Sequence, residues 1–215
     1  QETAWLEKRR HCSRCLEGTS MSTAATNTTY KPLSGLAGNS LAAKILLVVA
    51  GSLVLWVSAK IEVPFYPVPM TLQTLALFGI AAAYGTRLGV ATVALYLIEG
   101  ALGLPVFAGT PEKGIGLAYM FGPTGGYLAS YIFAAAIVGY AVDRGLGRNP
   151  FKLFGVMLVA EVVILGMGFV WLAYLFGGEK AFAFGVGPFI ITDLVKIALA
   201  ACLVPAIAAL FQKRT

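Results

Sequence analysis

Six apolar runs divide this chain, and their lengths decide the solvent in which it can fold. They cover residues 41–59, 70–85, 88–102, 125–142, 154–176 and 188–211. A bilayer core about 30 Å thick is crossed by roughly twenty apolar residues of helix, and most of the runs approach that length. Only 12% of the 215 residues are charged and 58% are hydrophobic. A soluble domain carries about 25% charge, so there is too little polar surface here to cover a globule. The expected fold is all-α, a polytopic membrane protein of six transmembrane helices. The second and third runs are short and only Thr86 and Arg87 part them. A tight helical hairpin and a single re-entrant segment both fit that spacing. An even number of crossings puts both termini on one side.

Lys and Arg choose that side, because cytoplasmic loops carry the excess of basic residues. Twelve of the sixteen basic residues fall on the face shared by the termini: Lys8, Arg9, Arg10, Arg14, Lys31, Lys44, Arg87, Arg144, Arg148, Lys152, Lys213 and Arg214. The opposite face has Lys60, Lys113 and Lys180, and Lys196 lies within a run. The bias predicts cytoplasmic termini. The net charge of +6 is thereby a topology signal and gives no support for binding nucleic acid.

Residues 1–40 differ in kind. "MSTAATNTTYKPLSGLAGNS" is rich in Ser, Thr, Gly and Asn without an apolar period, which predicts a flexible tail. It has no apolar core of a signal peptide. His11, Cys12 and Cys15 resemble half of a zinc site, but four ligands are the norm and no second pair exists. Met21 looks like a natural start, so residues 1–20 read as an upstream or vector-derived leader. Cys202, in the last run, is expected to pack. The domain proper is residues 41–215.

No soluble module of enzyme size is present, no G-x-x-x-x-G-K-[ST] loop for nucleotide appears, and the single histidine lies in the tail. The chain is therefore expected to be no enzyme, to need no cofactor, and not to hydrolyse ATP itself. Its two exterior loops are more telling. "IEVPFYPVPM" holds prolines at 64, 67 and 69, which excludes helix there. Residues 103–128, "GLPVFAGTPEKGIGLAYMFGPTGGYL", are glycine-rich and aromatic. Such loops either fold over a cavity mouth, covered by protein, or rest among the lipid headgroups as aromatic belts do.

Four ionisable residues fall within the runs: Glu99, Glu161, Asp193 and Lys196. A charge at mid-bilayer costs at least about 2.5–3.5 kcal/mol on insertion scales, so each needs a reason. Asp193 and Lys196 are i, i+3 partners, about 60° apart on one helical face. Asp193 stands six residues past Gly187, about 9 Å into a helix at 1.5 Å per residue, in the exterior third of the membrane. The pair either locks the last helix to its neighbours or forms the floor of a substrate pocket, and intramembrane charges usually mark the latter. Glu99 and Glu161 are given structural roles, Glu99 near the interface and Glu161 against a neighbouring helix or a partner. Gln73, read as one turn inside the second helix, either bridges helices or completes a polar site with Asp193 and Lys196, since an amide both donates and accepts.

"VPFYPVPMTLQT", "GLPVFAG", "GPTGGYL" and "DLVK" follow one another as they do in the BioY family, and from residue 41 onward the chain resembles it. These are the biotin-binding S components of energy-coupling factor (ECF) transporters. The resemblance implies six helices with a biotin pocket near the extracytoplasmic surface of a bacterial cell membrane. It also implies a transmembrane coupling subunit and a pair of ABC-type ATPases as partners, with ATP hydrolysed by the latter. Pocket residues carry over to Asp193 and Lys196 through "DLVK" and to Gln73 through "TLQT". The loop segment "TPEKGIGLAYMF" is longer and more charged than the family's glycine-rich form.

Biotin's chemistry suits these residues. Its ureido ring offers two N–H donors and one carbonyl, beside an apolar bicycle and a carboxylated tail. Asp193 can accept from the ring N–H groups, and Lys196 or Gln73 can donate to the carbonyl. Phe65, Tyr66, Phe107 and Tyr119 can cover the apolar parts, and Lys113 or loop N–H groups can meet the carboxylate. A mainly apolar pocket with a few converging polar groups is what a small ligand requires. For the coupling subunit, small residues on the first helix, Ala43 and Ala50 with Gly51 beside them, offer a close-packing face. The alternative function is a self-sufficient, ion- or proton-coupled carrier of a small vitamin-like molecule, with Asp193 or Glu161 relaying protons. A weaker third is a membrane scaffold without a ligand.

Overall fold

The computed structural model describes residues 40–63 and 67–212. The tail with its His11, Cys12 and Cys15, and the loop residues Phe65 and Tyr66, lie outside the described residues. The helices are α1 (Leu41–Lys60), α2 (Gln73–Ala101), a short α3 (Gly116–Met120), α4 (Gly125–Asp143), α5 (Pro150–Phe176), a short α6 (Gly178–Gly185) and α7 (Gly187–Gln212). A two-stranded antiparallel ribbon, β1 (Glu62–Val63) with β2 (Met70–Thr71), pairs Glu62 with Thr71 and Val63 with Met70.

Among the described residues, five helical stretches are long and apolar enough to span a membrane, and α2 supplies two crossings. At Gly85 its backbone turns to φ 77°, ψ −176°, a conformation that a residue with a Cβ rarely adopts. The two arms fold back on each other: a Cβ placed on Gly89 would stand 3.3 Å from the Cα of Ala81, whereas eight residues of straight helix span about 12 Å. The hairpin arrangement holds, and the described residues make six crossings. Asp143, at the end of α4, fastens the turn by accepting from the Thr86 amide (3.0 Å) and hydroxyl (2.6 Å).

The helices alternate in direction. One end of the bundle therefore gathers the ribbon, residues 102–124 and the α5–α6–α7 turns, while residue 40 and the end of α7 lie at the other. The outer faces are apolar, with Leu46, Val57, Val162, Val170 and Ile191 exposed, as expected of surfaces that meet lipid. The centre is packed from Leu77, Phe78, Val93, Val138, Met157, Ile164 and Ile197. Cys202 is exposed on α7 and does not pack in the core.

Two boundaries differ from the sequence reading. Helix α5 begins four residues early, at Pro150, because the Asn149 side chain accepts from the amides of Phe151 (2.9 Å) and Lys152 (3.3 Å) with proline at the first helical position. Helix α2 begins at Gln73 rather than at residue 70, because Met70 and Thr71 are paired into the ribbon. Gln73 is thus the first residue of its helix, not one turn inside it.

Residues 103–115 run irregularly across the gathered end, and side chains satisfy their carbonyls. Trp56 Nε1 donates to Pro105 O (3.2 Å), Tyr96 Oη to Val106 O (3.0 Å) and Tyr119 Oη to Ala108 O (2.8 Å). Lys60 Nζ donates to Phe107 O (3.0 Å), Thr110 O (2.9 Å) and Thr110 Oγ1 (3.0 Å). Irregular backbone near membrane depth needs such partners, and the loop is held over the bundle rather than spread on its surface.

Candidate functional site

Beneath that loop the helices enclose a cavity of about 50 Å³. Its roof is Val68, Pro69, Ala108, Tyr119 and Thr124. The walls are Thr71, Gln73 and Thr74 from the ribbon and α2, Tyr127, Leu128 and Tyr131 from α4, and Glu161, Ile164 and Leu165 from α5. Helix α7 contributes Phe189, Asp193 and Lys196.

Asp193 is 2% exposed. Its Oδ1 accepts from Lys196 Nζ at 2.7 Å and from Thr74 Oγ1 at 3.4 Å. Lys196 Nζ also donates to Thr71 O at 2.6 Å. The ion pair thus ties α7 to the strand-to-helix corner at residues 71–74, and that carbonyl is available because Thr71 is extended rather than helical. Gln73 points into the same space: its Oε1 accepts from Tyr131 Oη at 3.5 Å, while its buried Nε2 lacks a partner among the described residues. Asp193, Lys196, Gln73 and Tyr119 are all brought to one cavity.

Phe107 and Lys113 stand outside its wall. Phe107, 1% exposed, stacks on Tyr119 at 5.1 Å and meets Tyr96 edge-on at 5.5 Å, so it backs the aromatic that lines the cavity. Lys113 is exposed, carried outward by the turn in which its amide donates to Gly109 O and that of Gly114 donates to Pro111 O. Glu99 has the structural role expected of it, accepting from the Ser52 hydroxyl across α1 and α2. Glu161 is 4% exposed and faces the cavity beside Asp193 of the neighbouring α7, and no donor among the described residues reaches either carboxyl oxygen. Its membership of an intramembrane carboxylate class that is usually functional was the available signal. Tyr127 and Tyr131 line the cavity as well and are not among the sequence candidates, although their i, i+4 spacing puts them on one face of α4. On α1, Ala50 is exposed but Gly51 is buried, and a Cβ there would meet Thr92 Cγ2 at 2.7 Å and Tyr84 Cε2 at 3.0 Å. Gly51 therefore serves the contact with α2 and is closed to a partner.

A six-crossing helical bundle with a roofed cavity, mainly apolar with a few polar groups, defines a multi-pass membrane protein with a candidate small-molecule site. The chain belongs to the BioY family, whose model matches residues 24–213. It is 42% identical over 144 residues to a probable biotin transporter BioY of Pyrococcus horikoshii, covering 67% of this chain and 83% of that one. The biotin transporter BioY of Thermotoga maritima is 38% identical over 145 residues, with the same coverage of 67% and 83%. BioY2 of Lactococcus lactis, a biotin transporter, is 30% identical over 160 residues, covering 72% and 84%. A crystal structure of the S-component for biotin from an ECF-type ABC transporter superposes with a TM-score of 0.63 at 21% identity. That match covers 78% of this chain and 93% of the other, and it shows the shared fold.

Proposed function

We propose that this chain is the biotin-binding membrane subunit, the S component, of an ECF-type importer driven by ATP. The observation that carries the reading is the roofed cavity in which Gln73, Asp193 and Lys196 converge between tyrosines, in a chain whose relatives are named biotin transporters. Asp193 accepts from a ring N–H, Lys196 and Gln73 donate toward the ureido carbonyl, and Tyr119, Tyr127 and Phe189 contact the bicycle. The carboxylated tail lies toward the glycine-rich loop. Biotin is larger than about 50 Å³, so the reading requires the loops over the cavity to part as the ligand enters. Isothermal titration of the detergent-purified chain with biotin tests it. Saturable binding of one biotin per chain is expected, and the absence of binding would overturn the proposal.

A coupling subunit and ATPases complete the importer, since the sequence holds no nucleotide-binding loop of its own. Their docking face is proposed on α1 at Ala43 and Ala50. Leucine at Ala50 adds bulk to an exposed position and is expected to weaken co-purification with the coupling subunit while biotin affinity stays unchanged. Equal co-purification of variant and wild type would remove this face from consideration.

The roofed end faces the exterior and both termini the cytoplasm, as the basic bias supports. In a cysteine-free background, Glu112→Cys, at an exposed loop position, is expected to label with an impermeant thiol reagent on intact cells. Arg144→Cys, exposed at the far end of α4, is expected to label only after lysis. The reverse pattern would invert the protein. A proton-coupled carrier is the second reading, favoured by the place of Glu161 in the cavity wall. Proton-dependent biotin uptake by liposomes containing this chain alone would select it.

A further inference from the structure

We infer that Glu161 is a ligand-contacting residue that accepts from one of the two ureido N–H groups, beside Asp193; this rests on the biotin reading above. Some polar atoms of the cavity already have partners. Asp193 Oδ1 holds two donors, and Lys196 is shared between that oxygen and the Thr71 carbonyl. Both Glu161 oxygens and the Gln73 Nε2 have no hydrogen-bond partner among the described residues, and their residues are 4% and 3% exposed. Buried polar groups without partners are few in folded proteins and each asks for a reason. Two such groups facing one cavity point to a shared one.

Helix geometry fixes where Glu161 looks. Ile164 and Leu165 line the same wall, so Glu161 belongs to an i, i+3, i+4 face of α5 that turns toward the cavity. It therefore shares the cavity wall with Asp193 of α7, and the two carboxyl groups are neighbours there. A cyclic urea carries one N–H on each side of its carbonyl, and two carboxyl groups from different helices match that pair. The unpartnered Gln73 amide is left to donate to the carbonyl between them. An acceptor on each side also selects against rings in which one nitrogen is blocked or replaced.

Two substitutions test the inference on purified protein, with biotin and desthiobiotin as probes. Glu161→Leu keeps apolar bulk and removes the acceptor, and should weaken both ligands by about tenfold, the upper end for an ordinary hydrogen bond. Because an unpartnered polar group is removed, the ligand-free melting temperature should stay level or rise. Glu161→Gln retains one carbonyl acceptor but adds an NH₂ group, and should bind both ligands more weakly than wild type and more tightly than Glu161→Leu. Binding of both ligands by Glu161→Leu within a few-fold of wild type would overturn the inference. So would a loss of affinity that appears only with a falling melting temperature, since that marks a structural role. Wild-type protein that binds no biotin would instead refute the functional reading, and this inference with it.

Discussion

Asparagine at Asp193 is expected to weaken biotin binding by about ten- to hundredfold, the 1.5–3 kcal/mol range of a hydrogen bond to a charged group, and alanine at Lys196 by less. The Asp193→Asn side chain would keep one acceptor oxygen but turn an NH₂ group toward ring donors, exchanging a favourable contact for a mismatched one. It would also leave the partly buried Lys196 without its counter-ion, at a cost below the ~3–5 kcal/mol of breaking a fully buried pair. Lys196→Ala strands the Asp193 carboxylate in turn. However, Thr74 Oγ1 still donates to it at 3.4 Å, and ring N–H groups satisfy it further once biotin is bound.

The two variants separate on stability as well. Lys196 is the strap to the Thr71 carbonyl at 2.6 Å, so its loss frees the corner from which Gln73 projects. Lys196→Ala should show the lower ligand-free melting temperature, and Asp193→Asn the greater loss of affinity, as read by titration beside thermal denaturation. If both variants fold and bind biotin as the wild type does, the pair is a helix lock and the site lies elsewhere.

The spans were legible because membrane solvent writes its demand as run length, and the arms of α2 were recognisable as short runs around Thr86 and Arg87. What sequence could not supply was anything set by a distant partner. Residues 70–71 look helical by apolarity and are extended because Glu62 and Val63 pair with them. Glu161 and Glu99 look alike as isolated carboxylates in apolar helices, yet one meets a hydroxyl and the other faces a cavity. In a helix apolar on all sides no moment says which face turns inward, so azimuth is decided by neighbours. The same gap explains Gly51, which falls beside Ala50 in sequence but turns toward Thr92. The polar pair was easier, because i, i+3 spacing makes its partnership local. Phe107 and Lys113 suit the ligand by side-chain chemistry, yet the turn around Pro111 sends one inward behind Tyr119 and the other into water.

Adding one methyl group at Gly139 is expected to destabilise the bundle by about 3 kcal/mol or more. A Cβ there would lie 2.6 Å from both the Cα and the N of Thr86 and 2.8 Å from the carbonyl carbon of Gly85. These are backbone atoms of the turn between the α2 arms, and no rotamer change can move them aside. The turn is fixed besides by the Asp143 carboxylate on Thr86. Relief requires sliding α4 away from α2, which opens the packing of Ala134, Ala135 and Val138, all buried at 0% exposure. Overpacking typically costs about 1–3 kcal/mol and more where backbone must shift, so Gly139→Ala should fall at or beyond the upper end. At Gly155, on α5, an added methyl group would find nothing within 4 Å. There alanine should be neutral or raise stability, by up to about 1 kcal/mol from reduced backbone freedom. In thermal denaturation in the same detergent, Gly139→Ala should therefore melt well below the wild type and Gly155→Ala at or above it. A Gly139→Ala protein that melts at or above the wild type would mean that α4 does not seat on the α2 turn, and the register between these two helices would have to be redrawn.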